Sequence, residues 1–546
     1  MNARVWSWLL ALAGVAAYAN SLGGPFVFDD MDAIVQNPWI RGLWPPGDLL
    51  RSPAPRCTVE GRPVLTLSFA LNYAAGGLDV RGYHLANLGI HLAAGLLLFA
   101  LVRRLAGGPV GFWTALLWML HPLQTASVTY VVQRAESLMG LCLLLTLYGL
   151  VRAAGSPLRR WELLCVGACA VGMATKEVMV TAPLLALLLD RTFLAGSFRE
   201  AWRARRGLHL ALASTWLILG ACLCLGGELK DVGAQSGNIT PAAYFRTQPA
   251  VILHYLKLMG WPSGLVLDYG WPLAWTWADV SLPGAAAVLG ILAGTAWALC
   301  RAPALGFLGA WFLLILAPTS TFLPLADPAF EHRLYLPLAA AAVLAALGIR
   351  ALGRTGVLLG IALALGLGIL TVRRNADYRT AVAIWEDTVL KRPENYRAHD
   401  NLGVVLARVD PVRALREHRE AIRLCPPCAP AHYNLGLALL QAGEPEEALA
   451  ELGEAARLAP DSVPMRFNLG VALAKRGRYE EAVGEFSEAA KLQPEYFPAQ
   501  YYLGLALAKG GHREEAMAAL TRALALEPGN VLAQALLGKL RAERTP

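Results

Sequence analysis

Eleven apolar runs fill most of the chain up to residue 371, and they decide what it can fold into. They lie near residues 4–21, 83–102, 110–122, 137–153, 161–175, 178–195, 208–226, 281–300, 304–318, 334–349 and 355–371. Each approaches the roughly 20 residues a helix needs to cross a bilayer. Hydrocarbon offers the backbone no hydrogen-bond partner, so such runs are expected to be helices that satisfy their own N–H and C=O groups. A chain of 546 residues that is 56% hydrophobic and 16% charged, with a mean hydropathy of +0.44, is too apolar for an ordinary soluble protein and too long for one domain. Its net charge of +8 comes largely from arginines in short loops between the runs, which marks topology and argues against nucleic-acid binding.

With the N-terminus inside, the inner loops hold Arg103 and Arg104; Arg152, Arg159 and Arg160; Arg191, Arg199, Arg203, Arg205 and Arg206; Arg301; and Arg350 with Arg354. The positive-inside rule is then met at every inner loop. The outer side receives residues 23–82, 123–136, 227–280, 319–333 and everything after 372. The segment 244–262 carries Arg246, His254 and Lys257 and is expected to be re-entrant or interfacial, because a span there would reverse the later loops. The first run lacks an A-x-A cleavage site before the acidic stretch and is read as a retained span.

After 372 the composition turns polar and periodic. NLG at 401 returns as NLG at 434 and 468, YLG at 502 and LLG at 536, and prolines at 393, 426, 460, 494 and 528 keep the same spacing. A period of 34 residues with Gly at the helix crossing and Pro after the second helix is the tetratricopeptide pattern. The expected fold is therefore all-α: a polytopic membrane domain over 1–372 with a large first outer loop at 23–82, then a tetratricopeptide solenoid over 373–546. The solenoid divides into a partial repeat at 377–393, about four full repeats over 396–531 and a capping helix at 532–543. Its concave face suits an extended peptide or another protein.

Six of nine cysteines, Cys142, Cys165, Cys169, Cys222, Cys224 and Cys300, sit in apolar runs and read as small core residues. Cys57 has no evident partner, and Cys425 with Cys428 in CPPC reads as a structural clip or two free thiols.

Polar groups gather on the predicted outer side. Asp29 and Asp30 follow the first run in FVFDDMD, and His84 opens the second. His121, Arg134 and Glu136 lie in HPLQTASVTYVVQRAES; Lys176 and Glu177 form a tight turn; Asp268 is in LDYGWP; Glu331, His332 and Arg333 are in DPAFEHRLYLP. Charged side chains at membrane depth are expensive and point to function. Arg134, Lys176, His332 and Arg333 form a cationic set suited to phosphate. Asp29 and Asp30 form an acidic set in which one carboxylate can act as general base toward a hydroxyl while the other orients it or helps to hold a divalent cation. Neighbouring side chains point in different directions, so at most one faces the acceptor, and Asp30 is preferred. Taken singly, each of these motifs also has a bland reading as a solvated loop, an internal ion pair or an interfacial anchor.

FDD, RPVLTLSFALNYAAGGLDVRGYHLANLGIH, HPLQTASVTYVVQRAESLMG, ATKEVMVTAPLLALLLDRTF, LDYGWP and DPAFEHRLYLP, followed by repeats, resemble the transmembrane and tetratricopeptide repeat-containing (TMTC) family and its bacterial relatives. The resemblance implies a GT-C fold glycosyltransferase that takes a sugar from a polyprenyl-phosphate carrier, eukaryotic members being protein O-mannosyltransferases. It implies a catalytic role for Asp29 and Asp30 and phosphate contacts in the motif of Glu331, His332 and Arg333; with Arg134 and Lys176 read beside His332 and Arg333 as the donor-phosphate set, His84, His121, Glu136, Glu177, Asp268 and Glu331 are left as supporting residues. Where relatives commonly carry Glu after HPxxT this chain has Ala126, so no acid acts there. The expected partners are a polyprenyl-phosphate sugar, a protein acceptor held by the repeats, and membrane lipid. The expected place is a bacterial inner membrane with the N-terminus cytoplasmic and the repeats outside. Two other readings stay open: transfer to a glycan or lipid, and a non-catalytic scaffold.

Overall fold

The computed structural model describes residues 2–53, 57–156, 158–226, 239–325 and 327–542, and among them there are helices and turns but no strand. The chain divides into two compact units, Met1–Ile384 and Trp385–Pro546. The boundary lies beyond the change of composition near 372, because Tyr378 and Ile384 are buried within the first unit.

The first unit contains fourteen described α-helices of eight residues or more: α1 (Ala3–Tyr18), α2 (Pro63–Gly76), α3 (Val80–Ala106), α4 (Gly108–Met119), α5 (Arg134–Ala154), α6 (Arg160–Met173), α7 (Ala182–Leu189), α8 (Phe198–Ser214), α9 (Trp216–Gly226), α10 (Pro241–Gly260), α11 (Leu282–Arg301), α12 (Pro303–Leu316), α13 (Leu338–Ala351) and α14 (Gly353–Asp377). All eleven apolar runs carry helix. Five stretches, Val80–Ala106, Val131–Ala154, Phe198–Leu225, Leu282–Arg301 and Gly353–Asp377, are long and apolar enough to cross a membrane by length and composition. The run at 178–195 is broken into a 3₁₀ turn at Glu177–Thr181, the short α7 and a π-turn at Asp190–Leu194. Segment 244–262 is most of α10, an uninterrupted helix despite Pro249. Of the outer loop predicted at 227–280, residues 227–238 lie outside the described residues.

Two features of the end predicted to face outward were not expected. The loop at 23–82 contains α2, started by Pro63 and burying Leu65, Thr66, Phe69 and Ala70 on one face. The segment 121–136 is not a surface loop, since every one of its residues is buried. Close helix packing elsewhere relies on small residues: a Cβ on Gly149 of α5 would sit 2.9 Å from backbone atoms of Cys165 in α6. The flanks of α11 and α14 instead expose Leu282, Trp297 and Leu358, as hydrocarbon surroundings permit.

In the second unit four helix pairs follow in order, Tyr396–Leu406 with Pro411–Leu424, Ala429–Ala442 with Pro445–Leu458, Val463–Lys475 with Tyr479–Leu492, and Phe497–Lys509 with Arg513–Leu526, before a last helix at Val531–Ala542. Residue 543, the end of the expected capping helix, lies outside the described residues. The repeated glycine has a direct steric cause. A Cβ on Gly436, Gly470 or Gly504 would fall 2.7, 2.8 and 2.7 Å from Leu452, Phe486 and Leu520 of the paired helix. In the first pair Gly403 faces His418, whose Nδ1 meets Asp400 Oδ1 at 2.8 Å. The repeated proline is also engaged: its carbonyl accepts from the residue six places on, at 3.0 Å from His399, 2.9 Å from His432, 2.6 Å from Arg466 and 2.7 Å from Gln534. Cys425 and Cys428 form a disulfide with Cα atoms 5.6 Å apart, the clip among the two readings of CPPC.

Replacing Gly470 by Val should overpack the third pair and destabilise it by about 1–3 kcal/mol, whereas Gly484→Ala, at an exposed helical site with nothing within 4 Å, should stabilise by about 0.5–1 kcal/mol. Thermal unfolding of the two variants beside the wild type measures both signs.

Candidate active site

The two adjacent aspartates are separated by the backbone. Phe28 has φ of +47°, in the left-handed region that disfavours a Cβ, and the turn it makes sends Asp29 and Asp30 different ways. Asp30 is fully buried; its Oδ2 accepts from the Val27 N–H at 2.9 Å and its Oδ1 from the Val132 N–H at 2.7 Å. It therefore ties the 23–82 loop to the buried segment 121–136. Asp29 is half-buried, and its N–H donates to the Tyr130 hydroxyl at 3.0 Å. Asp29, not Asp30, lines a cavity of about 450 Å³. The preference for Asp30 as the base is corrected on this geometry, because both of its oxygens are occupied by backbone donors.

Burial raises the Asp29 carboxyl to about 6; a hydrogen bond from Tyr130 opposes the rise, while Asp327, Asp32 and Asp268 add to it. Burial also raises Asp30, to about 8, against the N–H groups of Val27 and Val132. The Tyr130 hydroxyl is pushed well up by burial and by the two carboxylates, so it stays a neutral donor.

The same cavity is lined by Arg62, Lys176, Glu177, His332 and Arg333. Lys176 and Glu177 stand at the entrance to the 3₁₀ turn after α6, and Arg62 immediately precedes α2. Lys176 Nζ lies 2.9 Å from Glu136 Oε1, and Arg62 Nη2 lies 2.9 Å from Glu177 Oε2. Burial alone would raise Glu177, but Arg62 and Lys176 outweigh it and hold the carboxyl below its usual range. His332 is driven well below the ordinary imidazole value by burial and then by Lys176, Arg333 and Arg62, so near neutral pH it is an uncharged donor or acceptor. Arg333 is buried against neutral acceptors: Nη1 donates to Pro328 O at 2.7 Å, to Thr319 O and the Tyr244 hydroxyl at 3.3 Å each, and Nη2 to Asp327 O at 2.6 Å. Its charge is thus offset by backbone carbonyls and a hydroxyl, which leaves it able to attract an anion.

Arg134 does not join the cationic set. Its Nε donates to Asn87 Oδ1 at 2.6 Å, Nη1 to Asn72 Oδ1 at 2.6 Å and Ser68 O at 3.1 Å, and Nη2 to Tyr83 O at 3.0 Å, so its donors anchor α5 to α2 and α3. Its phosphate role is corrected to a positioning one. His84 and His121 also lie outside the cavity lining: His84 Nε2 bonds to Gly24 O at 3.0 Å, while His121 accepts from Leu123 N–H on Nδ1 and reaches Met259 O from Nε2 at 3.3 Å. Asp268 accepts from Gly270 N–H at 2.9 Å, and Glu331 Oε1 accepts from Val266 N–H at 2.6 Å and the Tyr269 hydroxyl at 3.0 Å, folding the 265–270 loop onto the 331–333 turn. Glu136 is paired with Lys176. Among the described residues no three His, Cys, Asp or Glu side chains are grouped to hold a metal.

Arg62, Tyr130 and Asp327 line the cavity without having been singled out in the sequence. Tyr130 carries no charge to betray it, and Arg62 stood in a loop whose helix was not foreseen.

Two family descriptions match the chain. "Dolichyl-phosphate-mannose-protein mannosyltransferase" covers residues 71–224, and "Tetratricopeptide repeat" covers 410–463, 433–497 and 467–531. Among curated proteins, the Drosophila melanogaster protein O-mannosyl-transferase Tmtc2 is 30% identical over 322 residues, which is 52% of this chain and 33% of that protein. Homo sapiens TMTC4 is 27% identical over 72% of this chain and 62% of its own length, and Caenorhabditis elegans F38B6.6 is 26% identical over 73% and 59%. The chain is similar to TMTC proteins along much of its length. It spans less than two thirds of each of these relatives. The mannosyltransferase match includes Tyr130, Glu136, Lys176 and Glu177, while Asp29, Arg62, His332 and Arg333 lie outside it.

Asp30→Ala strips an acceptor from two buried N–H groups and should cost about 1–3 kcal/mol for each one left unsatisfied. For Asp29 the sign is opposite. A carboxyl raised from its unfolded value stabilises the fold fully below about pH 4 and loses that contribution as the pH rises through about 6. Asp29→Asn should therefore be as stable as wild type or more so at pH 7, which thermal unfolding in detergent compares directly.

Proposed function

We propose that this protein is a membrane glycosyltransferase that moves a sugar, mannose by family likeness, from a polyprenyl-phosphate donor to hydroxyl groups of an exported protein. The observation that carries the reading is the joint placement in one cavity of the Asp29 carboxylate, raised to about 6, and the Arg333 guanidinium, held by neutral acceptors. The names of its relatives support the sugar and the type of acceptor.

In this mechanism Asp29 accepts the proton of the acceptor hydroxyl as its oxygen forms a bond to the anomeric carbon. The bond from that carbon to the phosphate oxygen breaks, with inversion, and its electron pair leaves on the polyprenyl phosphate. Arg333 balances the charge that grows on the phosphate; Lys176 and Arg62, each already shared with a glutamate, act as weaker cations, and neutral His332 serves as a hydrogen-bond donor. Tyr130 keeps Asp29 aimed at the acceptor. The repeats hold the protein acceptor and raise its local concentration. A bacterial inner membrane with the N-terminus inside and the repeats outside is part of the same proposal; the one-sided arginines support the orientation, and the Cys425–Cys428 disulfide supports an oxidising compartment for the repeats.

Transfer of labelled mannose from polyprenyl-phosphate mannose into protein, with wild type and Asp29→Asn in matched proteoliposomes, tests the reading. The variant should lose about 10²–10⁴-fold in rate. The wild-type rate should fall about tenfold per pH unit below the Asp29 value of about 6 and level off above it, because only the ionised carboxylate takes a proton. Equal incorporation by wild type and Asp29→Asn would remove Asp29 as the base.

A further inference from the structure

A second cavity, of about 180 Å³, lies in the first unit and has a wholly apolar lining that includes Leu101, Leu105, Leu147, Phe193, Leu305 and Ala340. These side chains come from α3, α5, the turn after α7, α12 and α13, so the cavity is a cleft between membrane helices, remote in sequence from the Asp29 loop. Water has no polar partner there, so in a bilayer hydrocarbon fills the space.

Several residues of the cleft wall are close in the chain to arginines. Ala106, on its wall, is the last residue of α3 after Arg103 and Arg104, and the Ala106 carbonyl accepts from Arg350 Nη1 at 3.4 Å. Ala304, also on its wall, follows Arg301 at the α11–α12 corner. Arg191, two residues before Phe193, donates from Nη2 to Leu299 O at 2.8 Å in that same corner, while its buried Nη1 has no partner. Among the described residues no carboxylate lies within ion-pair distance of Arg103, Arg104, Arg191, Arg301 or Arg350.

We propose that this cleft binds one hydrocarbon chain of an anionic glycerophospholipid, whose phosphate headgroup is held by Arg301 and Arg350 with Arg191. Lipid tails meet surroundings as apolar as the cleft itself, so the tail contributes little discrimination and the headgroup decides which lipid stays. Unpaired basic side chains near the cleft wall select a negative headgroup over a zwitterionic one, the complementarity expected of basic pockets between membrane helices. The site is separate from the donor site and stands whether or not the glycosyltransferase reading does.

The test uses the full chain in native mass spectrometry, released from detergent supplemented with phosphatidylglycerol or with phosphatidylcholine. One phosphatidylglycerol should remain bound, with phosphatidylcholine held at least tenfold more weakly. Arg301→Gln with Arg350→Gln should weaken the phosphatidylglycerol adduct by about thirtyfold, at roughly fivefold for each basic residue removed. Ala304→Trp, an exposed position on the cleft wall, should block the tail while leaving the arginines in place and the fold intact by thermal unfolding. Equal retention of both lipids, or an unchanged adduct in the arginine variant, would overturn the headgroup assignment. Retention undiminished by Ala304→Trp would overturn the cleft as the site, and recovery of an isoprenoid lipid in its place would overturn the lipid class.

Discussion

One end of the first unit depends on satisfying the backbone of residues 121–136, a stretch of short helical turns interrupted at Thr129 and Tyr130 and buried throughout. Irregular backbone is tolerated in such a place only if side chains supply what a helix would have supplied. Asp30 takes the Val132 N–H, Asn87 donates to the carbonyls of Val128 and Val131, and Thr129 reaches Asn375 near the end of α14. On the other side Gln124 and the indole of Trp118 both donate to the Tyr335 carbonyl. Through these bonds one segment registers the first loop, α3, the 331–335 turn and α14 against each other. The cavity wall is a by-product of that register, since Tyr130 and Gln133 belong to the same stretch.

What the sequence made legible follows the same physics. Apolar length marked helices in every run, and the 34-residue period marked the repeats, because both patterns come from local rules that leave a trace at each turn. The gathering of polar groups at one end was legible too, and Asp29, Lys176, Glu177, His332 and Arg333 do line one cavity. The roles of individual charges were not. Arg134 and Lys176 look alike in a string of letters, yet one donates to Asn72, Asn87 and backbone carbonyls while the other pairs with Glu136. Only partners distant in sequence distinguish them. Arg62 was hidden for the related reason that α2, which it precedes, is too short and too weakly amphipathic to announce itself.

Charge at the cavity is closer to balance than a count of its cations suggests. Two of its basic groups are matched by Glu136 and Glu177, and burial leaves His332 neutral. Isolated ions buried at this depth would be costly, and pairing them lowers that cost. The balance leaves Arg333, seated on neutral acceptors, as the group whose field a ligand meets least attenuated.

The torsion at Phe28 carries one more implication. Asp29 and Asp30 are chemically identical neighbours, so no rule based on residue type could assign them different work. A single dihedral angle of +47° ahead of them accompanies that division, with one carboxylate a fastener between segments and the other on the wall of the cavity. Identity at that pair is therefore conferred by the chain's path, and exchanging the two duties would require a different backbone, not a different side chain.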